Sequence, residues 1–142
     1  MVDRVLLAEN EIDLLEAYKL NLLKSNFEVI DVFDGSMILD ELKRYDKNYF
    51  KVIISDTDMI SMDGPESIRI ALEENLLDLN KTLVIGISDC SDNQEYWRGL
   101  ANFACFYDKC RINSDRLGAI VSQCLRNFRQ GGLWRERMPM IL

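Results

Sequence analysis

The sequence has no histidine among its 142 residues. That excludes serine–histidine and cysteine–histidine nucleophile pairs, histidine general bases and histidine-ligated metal sites. A phosphohistidine, where one matters, must belong to a partner. Cys90, Cys105, Cys110 and Cys124 form no CxxC pair. A zinc ribbon needs paired close spacings, so buried or half-buried thiols in a reducing compartment are expected instead. No apolar stretch approaches the roughly 18 residues of a membrane span. Met1-Val2-Asp3-Arg4 lacks the basic start and long apolar run of a signal peptide, so a cytoplasmic chain without membrane contact is expected. Neither GxxxxGK(S/T) nor GxGxxG occurs, which leaves nucleotide binding without a motif. Positive charge is in deficit, with 17 bases against 24 acids and a net charge of −7. A nucleic-acid surface is not the expectation for such a domain.

What is present reads as one globular domain. The chain is 48% hydrophobic and 29% charged, outside the disordered range. Its length buries roughly two-thirds of the unfolded surface, enough for a core without staples. Short apolar runs alternate with amphipathic stretches. Strands are predicted at Val5-Leu6-Leu7-Ala8, at 28–33, at 51–55 around Val52-Ile53-Ile54, at 83–87 and at Cys105-Phe106-Tyr107. Helical spacing is predicted over 13–24, from Asp34-Gly35-Ser36 to Tyr45, after Pro65, over 93–103, and from Asn113-Ser114-Asp115 to Leu125. Asn26 suits a left-handed C-cap. Strand then helix, five times, with nearly continuous apolar strands, predicts a three-layer doubly wound α/β domain. Its five-stranded parallel sheet should run in the order 2-1-3-4-5.

In such a sheet, sites form at the carboxyl ends of the strands. The residues falling there are Glu9 and Asn10 after strand 1, Asp56 with Asp58 after strand 3, Ser88 after strand 4 and Lys109 after strand 5. Clustered carboxyl groups repel unless a hard cation sits among them, and Mg²⁺ prefers oxygen ligands. A carboxylate beside Mg²⁺, with an ammonium and a hydroxyl nearby, is arranged to receive a phosphoryl group.

Residues 3–126 resemble the receiver domain of two-component response regulators, a flavodoxin-like fold. The most specific segment is Val52-Ile53-Ile54-Ser55-Asp56-Thr57-Asp58-Met59-Ile60-Ser61-Met62-Asp63-Gly64, which is similar to that family's strand, acceptor aspartate, loop and Met-Asp-Gly. The resemblance implies that Asp56 is the phosphoacceptor. It implies a Mg²⁺ site at Glu9, Asn10, Asp56 and the backbone carbonyl of Asp58. Ser88 and Lys109 then contact the phosphoryl group, with Phe106 as the aromatic switch residue. The donor would be a phosphohistidine on a sensor histidine kinase or histidine phosphotransfer protein. The output would be a surface of helix 4, strand 5 and helix 5, through which such domains also form homodimers. The domain is then no enzyme beyond its own phosphorylation and dephosphorylation.

Four positions depart from the family pattern. Asn10 replaces a carboxylate with a neutral amide, so weaker Mg²⁺ binding is expected, offset in part by the carboxylate of Asp58. Ile60 stands where a proline often begins the loop. Cys110 follows Lys109 in place of a cis proline, and a non-proline cis bond costs ~3 kcal/mol, so a trans bond is expected. Asn102-Phe103 replaces a turn of small residues. Asn102 is a residue that can still take a left-handed conformation there, and bulky Phe103 is expected to expose an apolar patch beside Trp97 and Tyr96. These departures leave a second reading open, a pseudo-receiver that works by protein binding alone. Asp56-Thr57-Asp58 also resembles the DxD motif of haloacid-dehalogenase-type phosphatases. In those enzymes the motif follows the first strand, and beyond Lys109 only Asp115 and Glu136 could supply their further acidic pair.

Residues 127–142 break the alternating pattern at Gly131-Gly132. They carry +2 (three arginines, one glutamate), whereas 1–126 carry −9 from 14 bases and 23 acids. A C-terminal tail, or the start of a linker to an effector domain absent from the chain, is expected there.

Overall fold

The computed structural model describes residues 2–88, 94–106 and 116–130, with backbone alone for Ser88, Gln94 and 103–106. The chain runs β1 (Arg4–Ala8), α1 (Ile12–Lys24), β2 (Glu28–Val32), α2 (Gly35–Arg44), β3 (Val52–Asp56), α3 (Gly64–Glu73), β4 (Leu83–Ser88), α4 (Gln94–Trp97), β5 (Phe103–Phe106) and α5 (Leu117–Arg129). It is an α/β fold around a parallel sheet. The central strands lie in the order β2-β1-β3-β4, and β5 pairs with β4 at the outer edge. Leu7 stands between Asp31 of β2 and Ile54 of β3, and Ile54 in turn faces Ile85 of β4.

The apolar strand runs follow from helices on both faces. Successive side chains of a strand point to opposite sides. Val5, Leu7, Val52, Ile54, Leu83 and Ile85 bury against Leu15, Tyr18 and Leu22 of α1 and Val121 of α5. Leu6, Ala8, Ile53 and Val84 bury against Ile38 and Leu42 of α2, Ile68 of α3 and Trp97 of α4. All five residues of β3 are buried, so the strand sits between two dry layers and ends at Asp56.

Local chemistry sets the boundaries. Asn26 ends α1 with φ +68°. Asp34 caps α2, its carboxylate accepting from Ser36 N. Asp63 caps α3, accepting from Glu66 N, with Pro65 in the first turn. Cys124 is buried, and burial pushes its thiol up to about 12, which keeps it inert. The expected cap at 113–115, the Lys109–Cys110 bond, Cys90, Cys110 and the tail from 131 lie outside the described residues, as does the side chain of Cys105. No described helix is long and apolar enough to cross a membrane.

The segment after β4 differs from expectation. The predicted helix over 93–103 is four residues long, and the chain reverses through Gly99 at φ +78°. Strand β5 begins at Phe103 instead of Cys105. Two side chains explain the early stop. Trp97 turns inward and is 1% exposed. Asn102, 3% exposed, bonds to the edge of β4 and does not use the left-handed conformation open to it. Its N–H donates to Val84 O at 2.9 Å. Its Oδ1 accepts from Val84 N at 2.7 Å, and its Nδ2 donates to Leu79 O. These bonds tie both the backbone and the side chain of residue 102 to Val84 of β4, so the helix cannot continue through it. The expected patch of Tyr96, Trp97 and Phe103 therefore loses its largest member to the core, and Tyr96 stays exposed.

Candidate functional site

The carboxyl ends of β1 and β3 are adjacent, because these strands pair directly through Ala8 and Ser55. The next residues are Glu9 and Asp56, 1% and 3% exposed. Glu9 N donates to Val32 O of β2, and Glu9 Oε2 accepts from Glu11 N at the start of α1. Helix α1 has no capping side chain at Glu11 itself, so the Glu9 carboxylate takes that place.

Asn10 joins the two acids. In the amide orientation that pairs donors with acceptors, its Nδ2 donates to Glu9 Oε2 and Asp56 Oδ2, each at 3.0 Å. The other oxygen of Asp56, Oδ1, accepts from Thr57 N at 2.9 Å. Two buried carboxylates thus share one neutral amide, whose N–H dipoles ease their repulsion. The arrangement also suits a hard divalent cation. Both acids are oxygen donors within reach of one point, and rotating the amide turns Asn10 Oδ1 toward it. Tyr18, fully buried on α1, senses the same charge. Burial first, then the carboxylates of Glu9, Asp56 and Glu11, hold its phenol above the usual range and therefore neutral.

The loop from β3 to α3 is clamped from two sides. Gly64 N donates to Thr57 O, closing the loop on itself. Asp34, at the end of β2, accepts from Ser61 N at 2.9 Å, Ser61 Oγ at 2.6 Å, Ser36 N at 3.0 Å and Ser36 Oγ at 2.7 Å. Burial raises the carboxyl's pKa, but the donors from Ser61 and Ser36 outweigh it and hold the group well below the usual carboxylate range. One carboxylate therefore ties the β3–α3 loop to the α2 cap.

Asp58 is exposed. It lines a cleft of about 490 Å³ with Asp63, Glu66, Arg69 and Tyr96, between α3 and α4. Among the described residues, no three acidic or cysteine side chains converge as a metal cluster. Asp58 does not join Glu9 and Asp56 through its carboxylate, so any share it has in the site runs through its backbone. Ile60, at the loop tip, is 83% exposed. Ser88 ends β4 opposite Phe106 of β5, and both backbones reach the same edge as Asp56. Lys109 and the side chains of Ser88 and Phe106 lie outside the described residues.

Sequence reasoning missed Thr57 and Trp97. Thr57 Oγ1 donates to Ile87 O at 2.7 Å and accepts from Trp97 Nε1 at 2.8 Å. Only the position of Thr57 beside Asp56 could have flagged it. Trp97, 40 residues away, carries no such signal.

No family model matches the chain, and no curated protein matches it. Solved structures do. A CheY-like response regulator receiver domain protein from Methanospirillum hungatei superposes with a TM-score of 0.76 at 16% identity, covering 93% of this chain and all of that one. The signal receiver domain of a putative Luxo repressor protein from Vibrio parahaemolyticus gives 0.72 at 22% identity, over 92% of this chain and 95% of that one. The response regulator TrrA from Thermotoga maritima, in complex with Mg²⁺-BeF, gives 0.69 at 17%, over 86% and 98%. At these identities the likeness is one of fold. The chain has the CheY-like fold of response-regulator receiver domains.

Proposed function

We propose that this chain is a signalling switch of the two-component kind, which takes a phosphoryl group onto Asp56 from a phosphohistidine of a partner kinase or phosphotransfer protein. The observation that carries this reading is the setting of Asp56. It is a buried carboxylate at the end of the central strand, with one oxygen held by Thr57 N–H and the other beside the Glu9–Asn10 pair.

The step balances simply. An Asp56 oxygen forms a bond to phosphorus as the partner's P–N bond breaks. The electron pair of that bond returns to the imidazole, which leaves neutral because its other nitrogen carries a proton. Thr57 N–H fixes the orientation of the carboxylate, so little reorganisation remains at the moment of attack. The Asn10 amide must release Asp56 Oδ2 or follow it. Glu9, Asp56, the Asn10 carbonyl and the backbone of Asp58 are the groups that would hold Mg²⁺. That ion supplies charge neutralisation of the phosphoryl oxygens when bound. Lys109 and Ser88 are proposed to contact those oxygens, and Phe106 to follow Ser88. The Mg²⁺-BeF complex of TrrA supports the cofactor by analogy of fold.

Beryllofluoride, a phosphoryl mimic, tests this. In the presence of Mg²⁺, a bound ¹⁹F resonance is expected for this chain and none for Asp56→Ala. A chain that binds none under any condition is the phosphorylation-independent interaction module instead.

A further inference from the structure

Beyond the site itself, a buried string of hydrogen bonds leads from Asp56 to helix α4. Asp56 Oδ1 accepts from Thr57 N, Thr57 Oγ1 donates to Ile87 O, and Trp97 Nε1 donates to Thr57 Oγ1. Thr57 is 3% exposed and Trp97 1%. The hydroxyl has a single proton, which goes to Ile87, so toward Trp97 it can only accept. Each link has one direction, and the burial of both side chains shields it from solvent.

The packing is equally specific. The indole lies flat on β4 where Gly86 has no side chain, and a Cβ there would overlap the ring atoms Cδ2 and Cε2. Its far edge reaches Gly64 at the start of α3, where an added Cβ would come within 3.0 Å of Cη2. Helix α4 is four residues long, too short to stand by its own hydrogen bonds. Its neighbours Glu95, Tyr96, Arg98 and Gly99 are all exposed. Among the described side chains of α4, Trp97 is therefore the buried anchor that sets where the helix sits.

We propose that Thr57 and Trp97 are positioning residues that couple occupancy of Asp56 to the placement of α4, an inference that rests on Asp56 being the acceptor. A group bound at Asp56 changes what Thr57 N–H meets. The Thr57 hydroxyl, one residue's backbone away, must then shift against Ile87 or against the indole. The indole has no second acceptor among its described contacts and moves with it. Exposed Tyr96 and the α3–α4 cleft move in turn.

The test uses the full chain carrying Trp134→Phe, so that Trp97 is its one tryptophan. The indole ¹H–¹⁵N resonance is followed on adding Mg²⁺ and beryllofluoride, and bound ¹⁹F is recorded in each sample. The expected result is an indole shift at full fluoride occupancy. Thr57→Ser, which keeps the hydroxyl, should keep it. Thr57→Val, of equal size without the hydroxyl, should lose it at matched occupancy. Trp97→Phe provides the second arm, and its Gly99 amide should no longer respond. Bound fluoride with an unmoved indole, or an equal shift in Thr57→Val, overturns the coupling and leaves the acceptor reading intact. No bound fluoride in the parent chain overturns the acceptor reading and the coupling with it.

Discussion

Asn10 is the residue on which the chemistry of the site turns. Its amide holds Glu9 and Asp56 together at 3.0 Å each, work that a cation would otherwise do. Asn10→Asp removes both donors and adds a third negative charge. Without Mg²⁺ the variant should melt below the parent chain, and with Mg²⁺ the order should reverse. Its Mg²⁺ affinity in a calorimetric titration should rise by about tenfold, ~1.4 kcal/mol. Equal affinity in the two proteins would remove Asn10 from the cation site. The amide's position after strand β1 was visible in the sequence, as was its neutral charge. Which end of it faces the acids was not, because that depends on two oxygens brought together by the pairing of β1 with β3.

Thr57 and Trp97 mark where residue-level reading stopped. Tyr96, Trp97 and Leu100 are spaced as well for a long surface helix as for a short one. The outcome depends on Gly86, eleven residues earlier, leaving room for an indole. Gly86→Ala should expel the ring from that seat. In the Trp134→Phe background, Trp97 emission should shift to the red and the melting temperature should fall. Unchanged emission would mean that the ring does not rest on β4.

At the scale of elements, the joint between β2, α2 and the β3–α3 loop is the most consequential. Asp34 was legible as an N-cap from Asp34-Gly35-Ser36 alone. Its bonds to Ser61, 27 residues on, were not, since nothing local in either segment announces them. Asp34→Ala leaves the Ser61 and Ser36 donors to water and should cost about 2–3 kcal/mol by chemical denaturation. The pH dependence has a definite sign. The folded-state pKa of Asp34 lies below its unfolded value, so its contribution is present above the ordinary carboxylate range. It is lost as pH falls through that range toward the lower folded value. The stability gap between the parent chain and Asp34→Ala should therefore narrow below about pH 4. A gap that stays constant down to pH 2 would contradict the clamp.

The other elements divide along the same line. β3 was readable because Val52-Ile53-Ile54 is apolar on both faces, and α1 because Asn26 closes it. β5 was misplaced because Asn102 enters the sheet through its side chain, a role that polarity alone does not reveal.

For the whole molecule, two apolar layers share one sheet. Ile53 and Ile54 are consecutive, yet one packs toward α3 and the other toward α1 and α5. Alanine at either should cost about 2–5 kcal/mol. Each should lower one common melting transition, because β3 carries both layers. A separate early transition in either variant would show that the layers are independent.

The claim that gathers these scales is that Asp56 accepts a phosphoryl group. Intact-protein mass spectrometry after incubation with acetyl phosphate and Mg²⁺ tests it most directly. The predicted result is the addition of one phosphoryl group, located at Asp56 and absent from Asp56→Ala. No addition to the parent chain, or the same addition to Asp56→Ala, would contradict the account.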